Sequence, residues 1–428
     1  MKRPTTMTLS PVADHSRRQF LAAGLHAGVA LAASGAWAQE IAVRPAGLGR
    51  LVVLFLRGAY DGMSALVPHG DADYYRLRPN IAVAAPDGTP QTALKLDTLF
   101  GLHPALAPVL PLWQQGVLAA IPCAGSPDAT RSHFDAQHHW EVGVPGKSGG
   151  EVGWLNALTG LMPASGALGV GEANPFILAG NNKVQLIPRG LAATREGALG
   201  DPRTRQAMLN LYAGQDALSA TFRSGAESRM QTAKTLAAEM DPSAKVAGEM
   251  QAANNGAGPV QGLVLDAQHL GTLMRQDRTL RLGFLSAGGW DTHANQGNAV
   301  GALAQNLGNL ALALVQLRHD FSEPGDVVMV VSEFGRTSAE NGTRGTDHGH
   351  GNALWLLGDM VHGGKWHGRW DGLSAGNLHE GRDLPVHHDF RAVLAQVVRR
   401  NLQVGASDLD RLFPGFQWDP ALDTLMRA

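Results

Sequence analysis

The chain has 428 residues, 44% hydrophobic and 17% charged, with a formal net charge of −2 and a sequence pI near 6.8. A balance so close to neutral leaves no electrostatic footprint for nucleic acid or an anionic membrane surface, and so excludes both as expected partners. The apolar content suffices for a sizeable core, in one large α/β domain or two smaller ones.

At the N-terminus, Ser16-Arg17-Arg18-Gln19-Phe20-Leu21 precedes a mildly apolar stretch over 22 to 37 that carries His26 and several glycines. That stretch is too weak for a membrane span, and it closes in Ala36-Trp37-Ala38, the small-x-small pattern a signal peptidase reads. The expectation is a twin-arginine signal peptide over 1 to 38, cleaved after Ala38 and read by the twin-arginine translocase. The mature chain, 39 to 428, is then a single periplasmic or secreted domain without a transmembrane anchor. Cys123, the only cysteine, cannot form an internal disulfide and reads as a small core residue at the end of an apolar run.

Residues 51 to 56, Leu-Val-Val-Leu-Phe-Leu, form a continuous apolar run without alternation, which suits a parallel strand buried on both faces. Similar runs recur at 117 to 121, 282 to 285, 327 to 331 and 354 to 357, separated by stretches long enough for crossover helices. Helices are predicted over 104 to 115, 132 to 141, 202 to 240, 296 to 321 and 389 to 402, the last opening on Asp389 as an N-cap. The pattern is βαβ-like: an α/β fold with a mostly parallel sheet sandwiched by helices. Residues 204 to 258, rich in small polar residues and ending in Asn254-Asn255-Gly256, read as a helical insertion and a flexible connection.

Acidic and imidazole residues fall where such runs end. Asp61 follows the first run, Asp291 and His293 follow the third, and Glu333 directly follows the fourth. Ligands of open α/β sheets bind outside the carboxyl ends of the strands, so these groups are placed to converge on one edge. Gly345-Thr346-Asp347-His348-Gly349-His350-Gly351 adds two imidazoles and a carboxylate just before the fifth run. Carboxylate and imidazole together suit zinc, manganese or another divalent ion. Each group also has a purely structural reading. Asp291 would orient His293, Asp347 would close an Asx-turn, and Arg336 would neutralise Glu333. Ser132, at a predicted helix start, is either an N-cap or a metal-assisted nucleophile beside Arg131, placed to hold a substrate oxyanion.

Four segments carry a resemblance: Arg131-Ser132-His133-Phe134-Asp135-Ala136-Gln137, Trp290-Asp291-Thr292-His293, Ser332-Glu333-Phe334-Gly335-Arg336-Thr337, and the glycine-flanked loop at 345 to 351. Together and in this order, from about 50 to 402, they resemble the bacterial family called domain of unknown function 1501 (DUF1501), whose members commonly carry a twin-arginine signal. That family is similar to the alkaline phosphatase and sulfatase superfamily, which implies an alkaline phosphatase-like α/β sandwich with a metal centre at the carboxyl edge of its sheet. By the resemblance, Asp61 matches the aspartate after the first strand and Ser132 the helix-start nucleophile. Asp291 and His293 hold a metal completed by His348 or His350, and Glu333 stands for the aspartate of a later pair. Phe334 replaces that pair's second member, and Asp291 and His293 are closer in sequence than the superfamily's pair. Both departures point to one metal or none rather than two.

The expected function is hydrolysis of a small anionic phosphate or sulfate ester with a divalent metal ion. Asp291, His293, His348 and His350 are its candidate ligands, and Asp61 and Glu333 complete the pocket. Ser132 attacks and Arg336 steadies developing charge. The alternative is a non-catalytic exported protein that keeps the fold and binds a ligand or partner. The export reading predicts that replacing Arg17 and Arg18 together by lysine traps precursor in the cytoplasm, as fractionation and immunoblotting would show; normal periplasmic accumulation would contradict it.

Overall fold

The computed structural model describes residues 49–146, 152–162, 165–194, 199, 201–239 and 254–427. The signal-peptide expectation lies outside these residues, as does the end of the predicted insertion up to 253.

Eight strands form the main sheet: β1 (Arg50–Leu56), β2 (Leu118–Gly125), β3 (Gly166–Gly171), β4 (Val184–Pro188), β5 (Leu280–Ala287), β6 (Asp326–Val331), β7 (Asn352–Leu357) and β8 (His388–Asp389). Their order is β8-β2-β7-β6-β1-β5-β3-β4. β1 pairs in parallel with β5 and β6, and β3 with β4 and β5, whereas β7 is antiparallel to both β2 and β6. The molecule is therefore mixed α/β with a large, mostly parallel sheet flanked by helices.

The unbroken apolar runs are explained by burial on both faces. Val52, Leu54 and Leu56 of β1 point into one core layer with the helices Leu263–Gln276 and Ala302–Asp320. Leu51, Val53 and Phe55 point into the other, with Trp140, Trp154 and the helix Phe390–Asn401. β6 divides likewise, Val328 and Val330 to one layer and Val327, Met329 and Val331 to the other. A strand facing two cores has no polar face, so it shows no period of two. Cys123 is buried in a third, smaller cluster, and burial pushes its thiol up to about 12, in keeping with an inert core residue.

Several element boundaries differ from expectation for local reasons. The segment predicted as one helix from 104 begins as a 3-10 turn, Pro104–Val109, and becomes α-helical only over Leu110–Gln114, because Pro108 and Pro111 lack the N–H that an i→i−4 ladder needs. The helix expected from 296 starts at Ala302: Gly297 and Gly301 hold positive φ (83° and 122°) in a tight turn, where a Cβ on Gly297 would lie 2.1 Å from the Val300 carbonyl oxygen. The long helix over 202 to 240 is two, Pro202–Leu211 and Ala217–Glu239, the second preceded by Asp216, which accepts from the Ser219 N–H at 2.9 Å. β3, β4 and the helices Trp154–Leu161 and Leu263–Gln276 had no counterpart in the sequence reading.

Register aligns the strand ends. Phe55 pairs with both Ser286 and Val331, so the segments after β1, β5 and β6 leave the sheet side by side. Because β7 is reversed, with Asn352 opposite Ala124 near the end of β2, the loop before β7 reaches the same edge. At the opposite edge, Arg50 and Asp326 are register partners joined by a bidentate ion pair, with Nε to Oδ1 at 2.8 Å and both side chains about 97% buried or more. Asp326→Ala leaves that guanidinium buried without its carboxylate and is expected to lower unfolding stability by about 3–5 kcal/mol. Asp73→Ala, which removes the exposed Arg76–Asp73 pair, is expected to change little. Equal urea midpoints for the two variants would contradict this.

Candidate metal centre

The carboxyl edge is assembled from four segments. After β1 the chain turns through Gly58 (φ 110°), whose N–H donates to Glu333 Oε1 at 2.8 Å; a Cβ there would come within 2.9 Å of the Asp291 nitrogen. Residues 335–337 and 347–350 zip together: Gly335 N–H to His350 O at 2.8 Å, Gly349 N–H to Gly335 O at 2.8 Å, and Thr337 N–H to Asp347 O at 2.9 Å. The segment after β5 is stitched to the same loop through Thr346 N–H to Thr292 O at 3.1 Å and Asn341 Nδ2 to His293 O at 2.8 Å. The fourth segment is the start of the helix His133–Val142, capped by Ser132, whose Oγ accepts from the Asp135 N–H at 3.4 Å.

Three imidazoles meet there, each anchored through Nδ1. His133 Nδ1 lies 2.8 Å from Glu333 Oε1, His293 Nδ1 3.0 Å from Asp347 Oδ1, and His348 Nδ1 2.9 Å from the Arg131 carbonyl oxygen. Carbonyl and carboxylate oxygens only accept, so each Nδ1 carries a proton and each Nε2 is turned inward. His348 Nε2 is 3.0 Å from His133 Nε2 and 3.0 Å from His293 Nε2. Asp291 closes the group: Oδ1 is 3.2 Å from His348 Nε2 and 3.0 Å from His293 Nε2, and Oδ2 is 3.6 Å from His133 Nε2. Ligand atoms of His133, Asp291 and His348 all lie within 4.8 Å of one another, the arrangement among the described residues able to hold a metal ion.

Lone pairs packed this closely repel unless a cation lies among them. A proton on His133 Nε2 satisfies its contact with His348 but leaves His293 Nε2 against the same nitrogen. Burial opposes charge on His133, yet hydrogen bonds to Asp291 and Glu333 push it up to about 9. Burial would raise Asp291, but His133, His348 and the Arg336 guanidinium hold it well below the usual carboxylate range. Two imidazole nitrogens and a carboxylate oxygen, from His133, His348 and Asp291, each imidazole fixed by an outer hydrogen bond, form a donor set that fits a divalent transition ion, with His293 Nε2 3.0 Å from both His348 Nε2 and Asp291 Oδ1.

The other expected site residues are placed differently. Asp61 is 1% exposed and accepts from Arg78 Nη1 (2.6 Å), Gln296 Nε2 (2.7 Å) and Ser64 Oγ (2.8 Å), a full set of donors that keeps it ionised outside the imidazole cluster. Glu333, fully buried, accepts from Gly58 N, Gln137 Nε2, His133 Nδ1 and Ser332 Oγ, so it stands behind His133 and not in the group itself. Arg336 donates to Asp291 Oδ1 and to the carbonyls of Gly58, Ala59, Trp290 and Thr346, which spends its donors on positioning Asp291 and the surrounding turns. Arg131 is likewise engaged, with Glu380 and Asp383. His350 faces away, its ring 4.4 Å from that of His379, and burial together with that neighbour lowers it to about 4. Ser132 is exposed at the helix start, directly before His133. Phe334 is buried and stacks on His133 with ring centroids 4.9 Å apart.

Sequence reasoning missed His133. Its signal was present: it is the first residue of a helix that follows β2 at the carboxyl edge, next to the serine that was singled out.

No curated protein matches the chain in sequence. Solved structures to which the chain shows a likeness include Ps i-CgsB in complex with k-i-k-neocarrahexaose (TM-score 0.38, 9% identity, covering 85% of this chain and 74% of that one). The alkaline phosphatase from the Antarctic bacterium TAB5 is another (TM-score 0.33, 11% identity, 74% and 94%). A third is the PsFucS1 sulfatase from Pseudoalteromonas sp. (TM-score 0.35, 10% identity, 89% and 71%). The sequence profile of the family described as "Protein of unknown function (DUF1501)" matches residues 49–413, which takes in all four segments of the site, and the chain belongs to that family.

Proposed function

We propose that this protein is a divalent-metal-dependent hydrolase of small phosphate or sulfate esters, exported through the twin-arginine translocase and working in the periplasm. The observation that carries the reading is the convergence of three Nε2 atoms on Asp291, with every Nδ1 tied to an oxygen acceptor. His133, His293, His348 and Asp291 would hold the ion. Once bound there, it would supply charge neutralisation and Lewis-acid polarisation toward an ester oxygen. Ser132 is the candidate nucleophile, exposed beside the cluster at a helix N-terminus, where unpaired N–H groups and the macrodipole favour an anion. Glu333 and Asp347 fix the His133 and His293 tautomers, and Arg336 fixes Asp291. Among the described residues no helix is long and apolar enough to cross a membrane.

One feature favours the rival reading, a binding protein that keeps the fold without turnover. Arg131 and Arg336, the guanidiniums nearest in sequence to the serine and to Glu333, are both committed to carboxylates. Ester assays separate the readings. In a hydrolase, Ser132→Ala lowers the turnover of generic phosphate or sulfate esters by about a thousandfold or more while metal content is kept. Equal rates in wild type and variant would remove the serine from the chemistry.

Protein purified without chelator is expected to carry stoichiometric divalent metal that disappears in the Asp291→Ala, His348→Ala double variant; metal absent from both would end the reading. Metal binding also has a pH signature. A folded value of about 9 against 6.5 for free histidine means that His133 contributes stability to the metal-free protein below pH 6.5, lost as pH rises through about 9. The ion must expel that proton, so affinity should climb over this window, and titration calorimetry at neutral pH should register proton release on binding. A flat affinity across the window would count against His133 as a ligand.

A further inference from the structure

Behind Glu333 lies a buried chain of polar groups that the metal reading does not use. Arg57, fully buried at the end of β1, holds Glu172 with Nε at 2.6 Å and Nη2 at 3.0 Å, and Glu141 with Nη2 at 2.8 Å. Its remaining terminal nitrogen, Nη1, donates to Gln137 Oε1 at 2.9 Å. Gln137, 1% exposed, donates through Nε2 to Glu333 Oε1 at 2.9 Å, and Glu333 Oε1 accepts from His133 Nδ1 at 2.8 Å.

The sequence of donors and acceptors along this chain has one sense. A glutamine amide flips readily between two orientations of nearly equal shape, one of which would set its carbonyl oxygen against Glu333. The Arg57 guanidinium, which has no acceptor, removes that choice by claiming the carbonyl. Gln137 then offers its NH₂ to a carboxylate that is wholly out of water, where an unmatched charge would be costly. Gln137 and His133 lie one helical turn apart on the helix His133–Val142, so both side chains project from one face toward the end of β6. Four residues from three elements are thereby set in register with a single ring orientation of His133.

We propose that Gln137, held by Arg57, is a positioning residue of the metal centre. By fixing the Glu333 carboxylate it keeps the proton of His133 on Nδ1 and its Nε2 lone pair turned to the ion. The proposal rests on the metal reading given above. It assigns Gln137 no contact with ion or substrate, and it predicts an effect on metal geometry separate from any effect on stability.

The test uses Co²⁺ as probe on the full mature chain, reading dissociation constant and visible d–d spectrum. Gln137→Leu removes the hydrogen bonds to Arg57 and Glu333; Gln137→Glu keeps the acceptor for Arg57 but sets a carboxylate against Glu333, and serves if the leucine variant does not fold. Each is expected to weaken Co²⁺ binding by about tenfold, the lower end of what losing an outer partner costs, and to alter the spectrum. Gln396→Leu, the same change at a buried glutamine that donates to Asp423 in another part of the molecule, should lower the melting temperature while leaving affinity and spectrum as in wild type. Gln137 variants that melt earlier but match the wild-type dissociation constant and spectrum would overturn the proposal and leave the metal reading intact. Wild-type protein that takes up no Co²⁺ would overturn both.

Discussion

Glu333 is a carboxylate with no access to water, and the segments around it are arranged to supply what water would have given. It leaves the end of β6 and accepts from the backbone N–H of Gly58 after β1, from Gln137 and His133 on the helix that follows β2, and from the neighbouring Ser332 hydroxyl. Burial by itself would raise its pKa; His133 and Gln137 hold it below the usual carboxylate range. Removing any one donor leaves a charge in a low-dielectric site. The turn after β1, the start of the helix and the end of the central strand are therefore constrained to one mutual geometry.

The same device is repeated around the edge. Asp61 is matched by Arg78, which also holds the carbonyls of Thr337 and Ser338 and so ties the first turn to the segment after β6. Arg336 joins Asp291 to the carbonyls of Gly58 and Ala59. Arg57 bridges Glu141 and Glu172. Buried ion pairs of this kind are weak evidence for net stability, since desolvation offsets much of the attraction. What they supply is position: each fixes a loop that has no apolar core of its own, at the place where three imidazoles must meet within 3.0 Å contacts. A preorganised donor set needs such a shell, because a ligand free to rotate gives up much of its affinity for the ion.

Phe334 shows the other half of the design. Buried among Ala59 and Ala136 and stacked on His133, it supplies an apolar wall on one side of the cluster. An apolar wall lowers the local dielectric and strengthens every charge interaction beside it.

The strands that carry the site were legible because burial on two faces leaves an unmistakable mark, an apolar run with no period; β1, β2, β5, β6 and β7 all bear it. The Gly166–Gly171 strand near the sheet's edge does not, being rich in glycine, and went unread. Composition and motif order also sufficed for the fold class, and the ends of the apolar runs placed Asp291 and His293 at the carboxyl edge. The direction of β7 was beyond the sequence, and that direction alone brings the His348 loop to the carboxyl edge. So were the partners: nothing local distinguishes a carboxylate matched only by guanidinium, amide and hydroxyl donors, as Asp61 is, from one that gathers imidazoles, as Asp291 does. His133 joined the cluster of Asp291, His293 and His348, and Asp61, Glu333, Arg336 and His350 took up other places, because such clustering depends on distances between residues as many as 217 positions apart. The chain's own pattern encodes which faces are buried; only packing decides which polar groups find each other.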